Sequence, residues 1–257
     1  MKIIDSHAHL DHIKNLDQAL NNAHKENVSD IVAVSESLSS CQRNLKIYEQ
    51  FKLPKIHLAL GIHPSEASDV EIDPVCSLIK EKVSKLIAVG EIGLDFWYKW
   101  VRKDKEKKDE QRRVFKKQLE VAKELNLPVI VHTRGTWKEA FEMVKNLKIE
   151  SAEFHWYSGP IDVLSLILDA GYFVSTSPSV AFSPQSREAM TYAPIEQTMV
   201  ETDSPVFFRN KENDSLSFEA QPKDVWQTLK AYADLKGIEE EKALGILNQN
   251  ARKFFKI

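Results

Sequence analysis

Two histidines near the start of the chain stand two residues apart, in the segment DSHAHLD. His7 and His9 end an apolar run, and side chains two apart on a strand share a face, so both imidazoles aim at one point. Four more histidine or acidic residues end or follow later apolar runs: Glu91, His132, His155 and Asp203. Imidazole and carboxylate groups bind divalent metal ions, so these six residues predict a metal site without thiolate ligands.

Eight short apolar runs are available to position these side chains. They span 2–8, 30–35, 56–62, 86–92, 128–132, 152–156, 171–176 and 197–202, and their β-branched content is typical of strands buried on both faces. Helical patterns cover 17–26, 41–51, 109–125, 136–147, 160–169, 222–236 and 239–254. This alternation predicts an α/β protein, a TIM-like (β/α)8 barrel that forms a single domain over residues 1–257. A doubly wound open sheet is the alternative, although the glycine-rich nucleotide-binding motifs are absent.

In a barrel the carboxyl ends of the strands converge on one mouth, and all six candidate ligands fall at such ends. Six donors exceed the needs of one four-coordinate ion with a water. We therefore expect a binuclear metal site at the C-terminal face of the strands, with Glu91 as the bridging carboxylate. His12, His24 and His57 lie in a loop, on a polar helix face and at a strand start, and are expected to be structural.

Charge and cysteine content exclude several classes of protein. Lys and Arg number 35 against 38 Asp and Glu, so no overall positive field holds nucleic acid or a membrane, and polyanion binding must be local. Cys41 and Cys76 lie far apart, which excludes a disulfide scaffold and favours a cytoplasmic location. We expect neither a signal peptide nor a membrane span. No pattern fixes the oligomeric state, and a monomer is compatible with the sequence.

The segment 96–117 combines aromatic and positively charged side chains. Between 99 and 117 ten Lys and Arg residues face four Asp and Glu, and Trp97, Tyr98 and Trp100 stand at the start of the run. Aromatic rings that stack on bases, beside cations that hold phosphates, are typical of single-strand binding. A solvated helix start with its aromatic residues packed on the barrel is the alternative.

Longer motifs recur along almost the whole chain. They are DSHAHLD (5–11), GIHP (61–64), GEIGLDF (90–96), QRRVFKKQLEVAKELNLPVIVHTR (111–134), FHWYSGP (154–160) and ETDSP (201–205). Together they resemble the TatD family of metal-dependent hydrolases, a group within the amidohydrolase-like barrels. The glutamate in GEIGLD, Glu91, stands where many related barrels carry a bridging lysine, which favours this family. Departures such as Trp156 and Tyr157 lie on loops at the mouth and leave the metal ligands intact.

This resemblance implies a TIM-like barrel that holds two divalent ions, with Mg²⁺, Mn²⁺ and Zn²⁺ as candidates. One ion would be held by His7, His9, Glu91 and Asp203, and the second by Glu91, His132 and His155. The implied activity is metal-dependent hydrolysis of phosphodiester bonds by a deoxyribonuclease, in the manner of a 3′–5′ exonuclease. DNA, as a single strand or at its 3′ ends, is the implied substrate.

Further residues near the mouth receive expected roles. Asp203 is the candidate general base for the attacking water. His63, after the third strand, and Arg134, two residues beyond a ligand, are expected to contact a phosphate or leaving group. Asp95 and Glu201 are expected to orient histidine ligands, or to hold an extra ion.

Two other functions remain open. An amide or ester hydrolase, such as a deacylase or lactonase, needs the same activated water and polarised oxygen, with Glu91 and Asp203 again as the catalytic carboxylates. His63 and Arg134 favour a phosphate substrate over these. A metal-stabilised binding or scaffold protein is the third possibility, which the complete ligand set disfavours.

Overall fold

Eight parallel strands pair in chain order in the computed structural model, which describes residues 1–209 and 217–257. They are β1 Ile3–Ala8, β2 Val28–Val34, β3 Lys55–Leu60, β4 Leu86–Asp95, β5 Val129–Arg134, β6 Ala152–Phe154, β7 Phe173–Thr176 and β8 Thr198–Val200. A parallel bridge between Ala8 and Ser204 joins β1 to the segment after β8 and closes the sheet. The predicted TIM-like barrel is confirmed, and the open sheet is excluded.

Helices follow the strands and surround the barrel. They are α1 Leu16–Lys25, α2 Leu38–Gln50, α3 Ile72–Lys82, α4 Lys105–Glu124, α5 Trp137–Asn146, α6 Ile161–Asp169, α7 Pro184–Tyr192, α8 Val225–Lys236 and α9 Glu240–Phe255. Two short antiparallel strands, β9 Phe207–Phe208 and β10 Phe218–Glu219, lie beyond β8. The helices α3 and α7 were not predicted. None of the helices in the described ranges is both long and apolar enough to cross a bilayer.

Apolar side chains fill most of the inside of the barrel. The cluster contains Ile4, Val32, Val34, Ala59, Ala88, Ile130, Phe173 and Met199 from the strands, with Ala251, Phe254 and Phe255 of α9. On β6 the corresponding inward place belongs to Glu153, which pairs in register with Ile130. A second, larger apolar cluster lies between the strands and the helices. Side chains therefore fill the barrel interior, and the space for chemistry lies at the carboxyl ends of the strands.

Candidate metal centre

The seam between β1 and the segment after β8 joins residues that are far apart in the chain. The Asp203 N–H donates a hydrogen bond to the His7 carbonyl (3.0 Å), and the His9 N–H donates across the same seam. In the barrel wall beside them, the buried Asp5 carboxylate accepts hydrogen bonds from the Thr202 N–H (2.9 Å) and hydroxyl (2.7 Å). These bonds fix Asp203 beside both histidines.

Two strand irregularities turn the side chains of candidate ligands into the barrel. Alternation counted from the inward-facing Ile4 would turn His7 outward, and alternation counted from Ala88 would turn Glu91 outward. The β1–β2 and β4–β5 pairings each contain a register shift that spans the ligand residue. Such irregularities re-aim side chains next to active sites. The two register shifts therefore place the His7 and Glu91 side chains in the interior.

For the candidate ligands on β5 and after β6, the regular alternation of side chains along a strand is enough to turn them inward. Ile130 faces the barrel interior, and His132 follows it by two residues. The His155 N–H donates to the Val131 carbonyl (3.1 Å), which continues the β5–β6 pairing by one bond. Gly93 lets β4 approach β5 here, because a β-carbon at this residue (φ 151°) would overlap the His132 carbonyl oxygen.

The Glu91 carboxylate lies in the middle of four imidazoles. Its Oε2 lies 3.2 Å from His7 Nε2 and 3.4 Å from His9 Nε2. Its Oε1 lies 2.8 Å from His132 Nδ1 and 2.7 Å from His155 Nε2. One buried carboxylate therefore presents each of its oxygens to a different pair of histidines.

Asp203 completes the group around Glu91 Oε2. Its Oδ1 lies 3.1 Å from His9 Nε2 and 3.4 Å from His7 Nε2. Within the described residues, His7 Nε2 and Glu91 Oε2 are buried and have no hydrogen-bond partner. A buried polar atom left unpaired costs about 1–3 kcal/mol. Nitrogen and oxygen atoms that converge in this way fit a divalent cation, and the donor set suits Zn²⁺, Mn²⁺ or Mg²⁺.

The carboxylates in this group are held in their charged forms. Burial raises the pKa of Glu91, but the charges of His155 and His7 and the His132 hydrogen bond bring it well below its usual range. Burial also opposes ionisation of Asp203, yet the hydrogen bond and charge of His9 lower its pKa to about 2. Both carboxylates are therefore ionised at neutral pH, as ligands of a cation would have to be.

Two further carboxylates, at residues that the sequence analysis selected for a positioning role, lie behind the imidazoles. Asp95 Oδ2 lies 3.1 Å from His132 Nε2, and Glu201 Oε1 lies 3.4 Å from His155 Nδ1. Each of these histidines thus has one nitrogen on Glu91 and the other on an outer carboxylate. Such partners fix the tautomer and ring orientation of a metal-binding histidine.

A third outer carboxylate, Glu36, was missed in the sequence. It follows β2, and its Oε1 lies 3.6 Å from His9 Nδ1, while its Oε2 lies 3.3 Å from His12 Nε2. An acid just beyond a strand end was the available signal. His12 lines the cavity with these residues, whereas the sequence analysis expected it to have only a structural role in a loop. His57, by contrast, pairs with Asp30 in the barrel wall (2.8 Å), and His24 lies exposed on α1.

A buried acid that the sequence analysis did not select lies next to the centre. Glu153 is fully buried on β6, two residues before His155. Burial, together with the nearby negative charge of Glu201, raises the pKa of Glu153 to about 8. Its carboxyl group is therefore mainly protonated at neutral pH, and it adds little charge below the metal ligands.

His63 and Arg134 line the cavity above the ligand cluster. His63 Nε2 lies 3.6 Å from Glu91 Oε1, and its Nδ1 accepts the Ser65 N–H (3.0 Å), which leaves the ring proton on Nε2. Burial lowers the pKa of His63 to about 3, so the ring is neutral at pH 7. The half-exposed Arg134 places Nε 2.8 Å from Asp95 Oδ2. It therefore pairs with a barrel carboxylate and also faces the cavity.

The cavity over the cluster has a volume of about 880 Å³. Its lining includes Trp97 and Tyr98 after β4, Phe182 after β7, and Phe207 and Phe208 of β9. Ligand sites typically occupy about 300–1,000 Å³ and combine apolar walls with a few polar groups. The cavity therefore has the size and the lining of a binding site, with the candidate ligands at its base.

Comparisons with known proteins identify the family and the fold. The family model described as TatD related DNase matches residues 4–256. The chain is 34% identical to a metal-dependent hydrolase, MJ1582, of Methanocaldococcus jannaschii, over 100% of this chain and 98% of the relative. It is 31% identical to human deoxyribonuclease TATDN3, over 98% and 94% of the two chains. The crystal structure of YjjV, a TatD homologue from Escherichia coli, has the same fold, with a TM-score of 0.88 at 22% identity over 99% and 98% of the chains. This protein belongs to the TatD family of metal-dependent hydrolases.

Proposed function

We propose that this hydrolase is a deoxyribonuclease that uses two divalent metal ions to cleave phosphodiester bonds in single-stranded DNA or at 3′ ends. The observation that carries the proposal is Glu91, whose two oxygens face separate pairs of histidines. A carboxylate shared in this way suits two ions that act together on one phosphate. The name of the human relative, deoxyribonuclease TATDN3, supports the same substrate.

The ligand groups divide along the two oxygens of Glu91. His7, His9 and Asp203 would hold one ion with Oε2, and His132 and His155 would hold the other with Oε1. When bound, such ions activate a water at neutral pH and polarise the phosphate oxygens. The unpaired atoms described above and the absence of thiolate donors among the described residues of the cluster are consistent with this assignment.

Asp203 is the proposed general base. With a pKa of about 2 it is ionised at neutral pH, and it lies at the base of the cavity where a water would attack. It would accept the proton of that water, a step that typically contributes about 10²–10⁴-fold to a rate. Glu91 would hold the two groups of ligands in fixed positions relative to each other during this step.

The phosphate would be held by groups above the cluster. His63 is neutral, so its Nε2–H can donate a hydrogen bond to a phosphate or leaving-group oxygen. Arg134 has one nitrogen on Asp95, which orients the guanidinium while its other N–H groups remain for a phosphate oxygen. These two donors favour a phosphodiester over an amide or ester substrate.

Hydrolysis assays with matched protein preparations test the proposal. Protein purified without chelator is analysed for metal, then incubated with labelled single-stranded DNA, duplex DNA and a panel of esters and amides. We expect release of nucleotides from single-stranded DNA that stops when chelator is added. The Glu91→Gln variant, purified in parallel, controls for contaminating nuclease and should be inactive.

Two results would contradict the proposal. Chelator-sensitive cleavage of esters or amides alone would indicate a deacylase or lactonase. Failure to cleave any substrate, with metal bound at the expected amount, would indicate a binding protein.

A further inference from the structure

Two tryptophans in the loop between β4 and α4 (residues 96–104, the β4–α4 loop) are exposed at the edge of the cavity. Trp97 is 66% exposed and Trp100 is 57% exposed. Large aromatic side chains usually bury most of their surface, so an exposed pair beside a binding cavity indicates a contact surface.

The loop holds these rings in fixed positions. The Trp97 N–H donates to Asp95 Oδ1 (2.8 Å), and its indole lies against Gly135, where a β-carbon would overlap the ring. The buried Val101 anchors the loop, and its N–H donates to the Tyr98 carbonyl (2.9 Å). The aromatic surface is thus ordered before any partner binds, which lowers the entropy cost of binding.

A row of rings connects the metal ligands to this surface. The His132 and His63 ring centroids lie 4.4 Å apart, and the His63 and Tyr98 centroids lie 6.4 Å apart. Tyr98 then stacks on Trp100, with centroids 4.5 Å apart and planes 22° apart. The Arg134 guanidinium lies 4.8 Å from the Tyr98 ring centroid. A molecule that extends from the centre can therefore follow the rings to the outer face of the loop.

The positive charges of the segment divide into a paired and an unpaired group. Five cations of α4 pair with carboxylates; they are Lys107, Arg112, Arg113, Lys116 and Lys117. Lys108 lies over the Phe96 ring. In the described parts of the chain, no acidic partner is found for the exposed Lys99, Arg102 and Lys103 of the loop, nor for Lys105 at the start of α4. The cations without an acidic partner therefore belong to the loop that carries the exposed tryptophans and to the first residue after it.

We propose that the β4–α4 loop is a strand-binding edge for single-stranded DNA, separate from the metal centre. Trp97 and Trp100 stack on unpaired bases, while Lys99, Arg102 and Lys103 hold the phosphates between them. A duplex keeps its base faces covered, so the exposed rings select unpaired nucleotides. The inference rests on the proposed function for its choice of ligand, and adds a site that holds the strand beyond the phosphate being cleaved.

Fluorescence anisotropy with a labelled single-stranded oligonucleotide tests this edge by direct binding. All proteins carry Asp203→Asn to limit cleavage, and gels confirm that the strand stays intact. Trp97→Ala and Trp100→Ala should each weaken binding about tenfold, and Trp100→Phe should restore most of the affinity. Tyr192→Ala, which removes a half-exposed ring from α7, should bind as well as the parent.

Salt dependence tests the cations separately. The triple variant Lys99→Ala/Arg102→Ala/Lys103→Ala should reduce the slope of log affinity against log salt by roughly 0.7 for each phosphate that is no longer neutralised. The matched triple variant Lys107→Ala/Arg113→Ala/Lys117→Ala removes the same charge from paired positions and should keep the parent slope. Thermal unfolding of every variant checks that the barrel is intact.

The outcomes separate this inference from the proposed function. Unchanged affinity in both tryptophan variants, or equal salt slopes in the two triple variants, would overturn the strand-binding edge even if DNA is cleaved. Equal effects of the variants on duplex and single-stranded DNA would also overturn it. Loop-dependent binding, together with a wild-type protein that cleaves no DNA, would support the strand-binding edge and contradict the proposed nuclease function.

Discussion

Replacing Asp95 by asparagine tests whether the outer carboxylates hold the imidazoles for metal binding. Asp95 Oδ2 faces His132 Nε2 at 3.1 Å, and Oδ1 accepts the Trp97 N–H at 2.8 Å. Burial opposes its negative charge, but the His132 hydrogen bond and the Arg134 charge lower the pKa of Asp95, so it is ionised. Asparagine keeps the size and the acceptor for Trp97 while it removes the charge.

The structure ranks the three outer carboxylates. Asp95→Asn should weaken binding of the ion next to His132 by about 10–100-fold, or ~1.4–2.7 kcal/mol. Glu201→Gln should fall in the same range, because Glu201 is fully buried. Glu36→Gln should have a smaller effect, since its side chain is 21% exposed and its contact with His9 is 3.6 Å long, so water screens the interaction.

Competition with a chromophoric chelator gives the dissociation constants for Zn²⁺ or Mn²⁺. Glu139→Gln is the control, because it removes a partly exposed carboxylate of α5 that pairs with Arg112 of α4, and it should leave metal affinity unchanged. Wild-type affinity in Asp95→Asn, with unfolding temperature retained, would refute the positioning role. A larger decrease in affinity in Glu36→Gln than in Asp95→Asn would refute the ranking.

Further predictions concern catalysis, packing, pH and metal removal. Asp203→Asn should lower kcat on DNA by ~10²–10⁴-fold at saturating metal, and a near-normal kcat would exclude it as the base. Gly93→Ala should displace the His132 backbone, which would appear as weaker metal binding and a lower unfolding temperature; unchanged values would show that β5 accommodates the methyl group. Although burial raises its pKa, the His57 hydrogen bond lowers the pKa of Asp30 overall, so Asp30→Asn should reduce the free energy of unfolding by about 1–3 kcal/mol at pH 6. Because a depressed folded pKa stabilises above the unfolded value of about 3.9, the deficit should shrink as pH falls below about 4 in urea titrations, and a constant deficit would contradict the ion pair. Dialysis against chelator should lower the calorimetric unfolding temperature, since ions at about 100 times their Kd stabilise by about 2.7 kcal/mol; an unchanged temperature would argue against tight sites.

The sequence predicts the inward orientation of those side chains in the candidate metal centre that follow the regular alternation of a strand. His132 and His155 occupy inward places that follow from counting by twos along β5 and β6. His7 and Glu91 reach the interior through register shifts that no residue pattern signals, so their selection depended on their chemical types and on their places at the ends of apolar runs. The sequence offers for Glu36 only its acidic type and its place just beyond a strand, because its contact depends on which way the second nitrogen of His9 points.

The two helices that were missed have ordinary physical explanations. Pro74 is a residue type that disfavours a helix interior, but it lies in the first turn of α3, where no intrahelical N–H bond is required. The helix α7 carries few apolar residues, and it begins with Pro184 at its first position after a capping Ser183. Local start signals, rather than periodicity, would have been needed to find it.

The seam at β1 has a consequence for when the protein becomes active. During synthesis His7 and His9 leave the ribosome before Asp203, which follows 194 residues after His9. Until then the nascent chain lacks both its last wall strand and the carboxylate that completes the group around Glu91 Oε2. Growing chains therefore lack part of the candidate ligand set, and we expect the capacity for hydrolysis to arise only once the segment after β8 has closed the barrel.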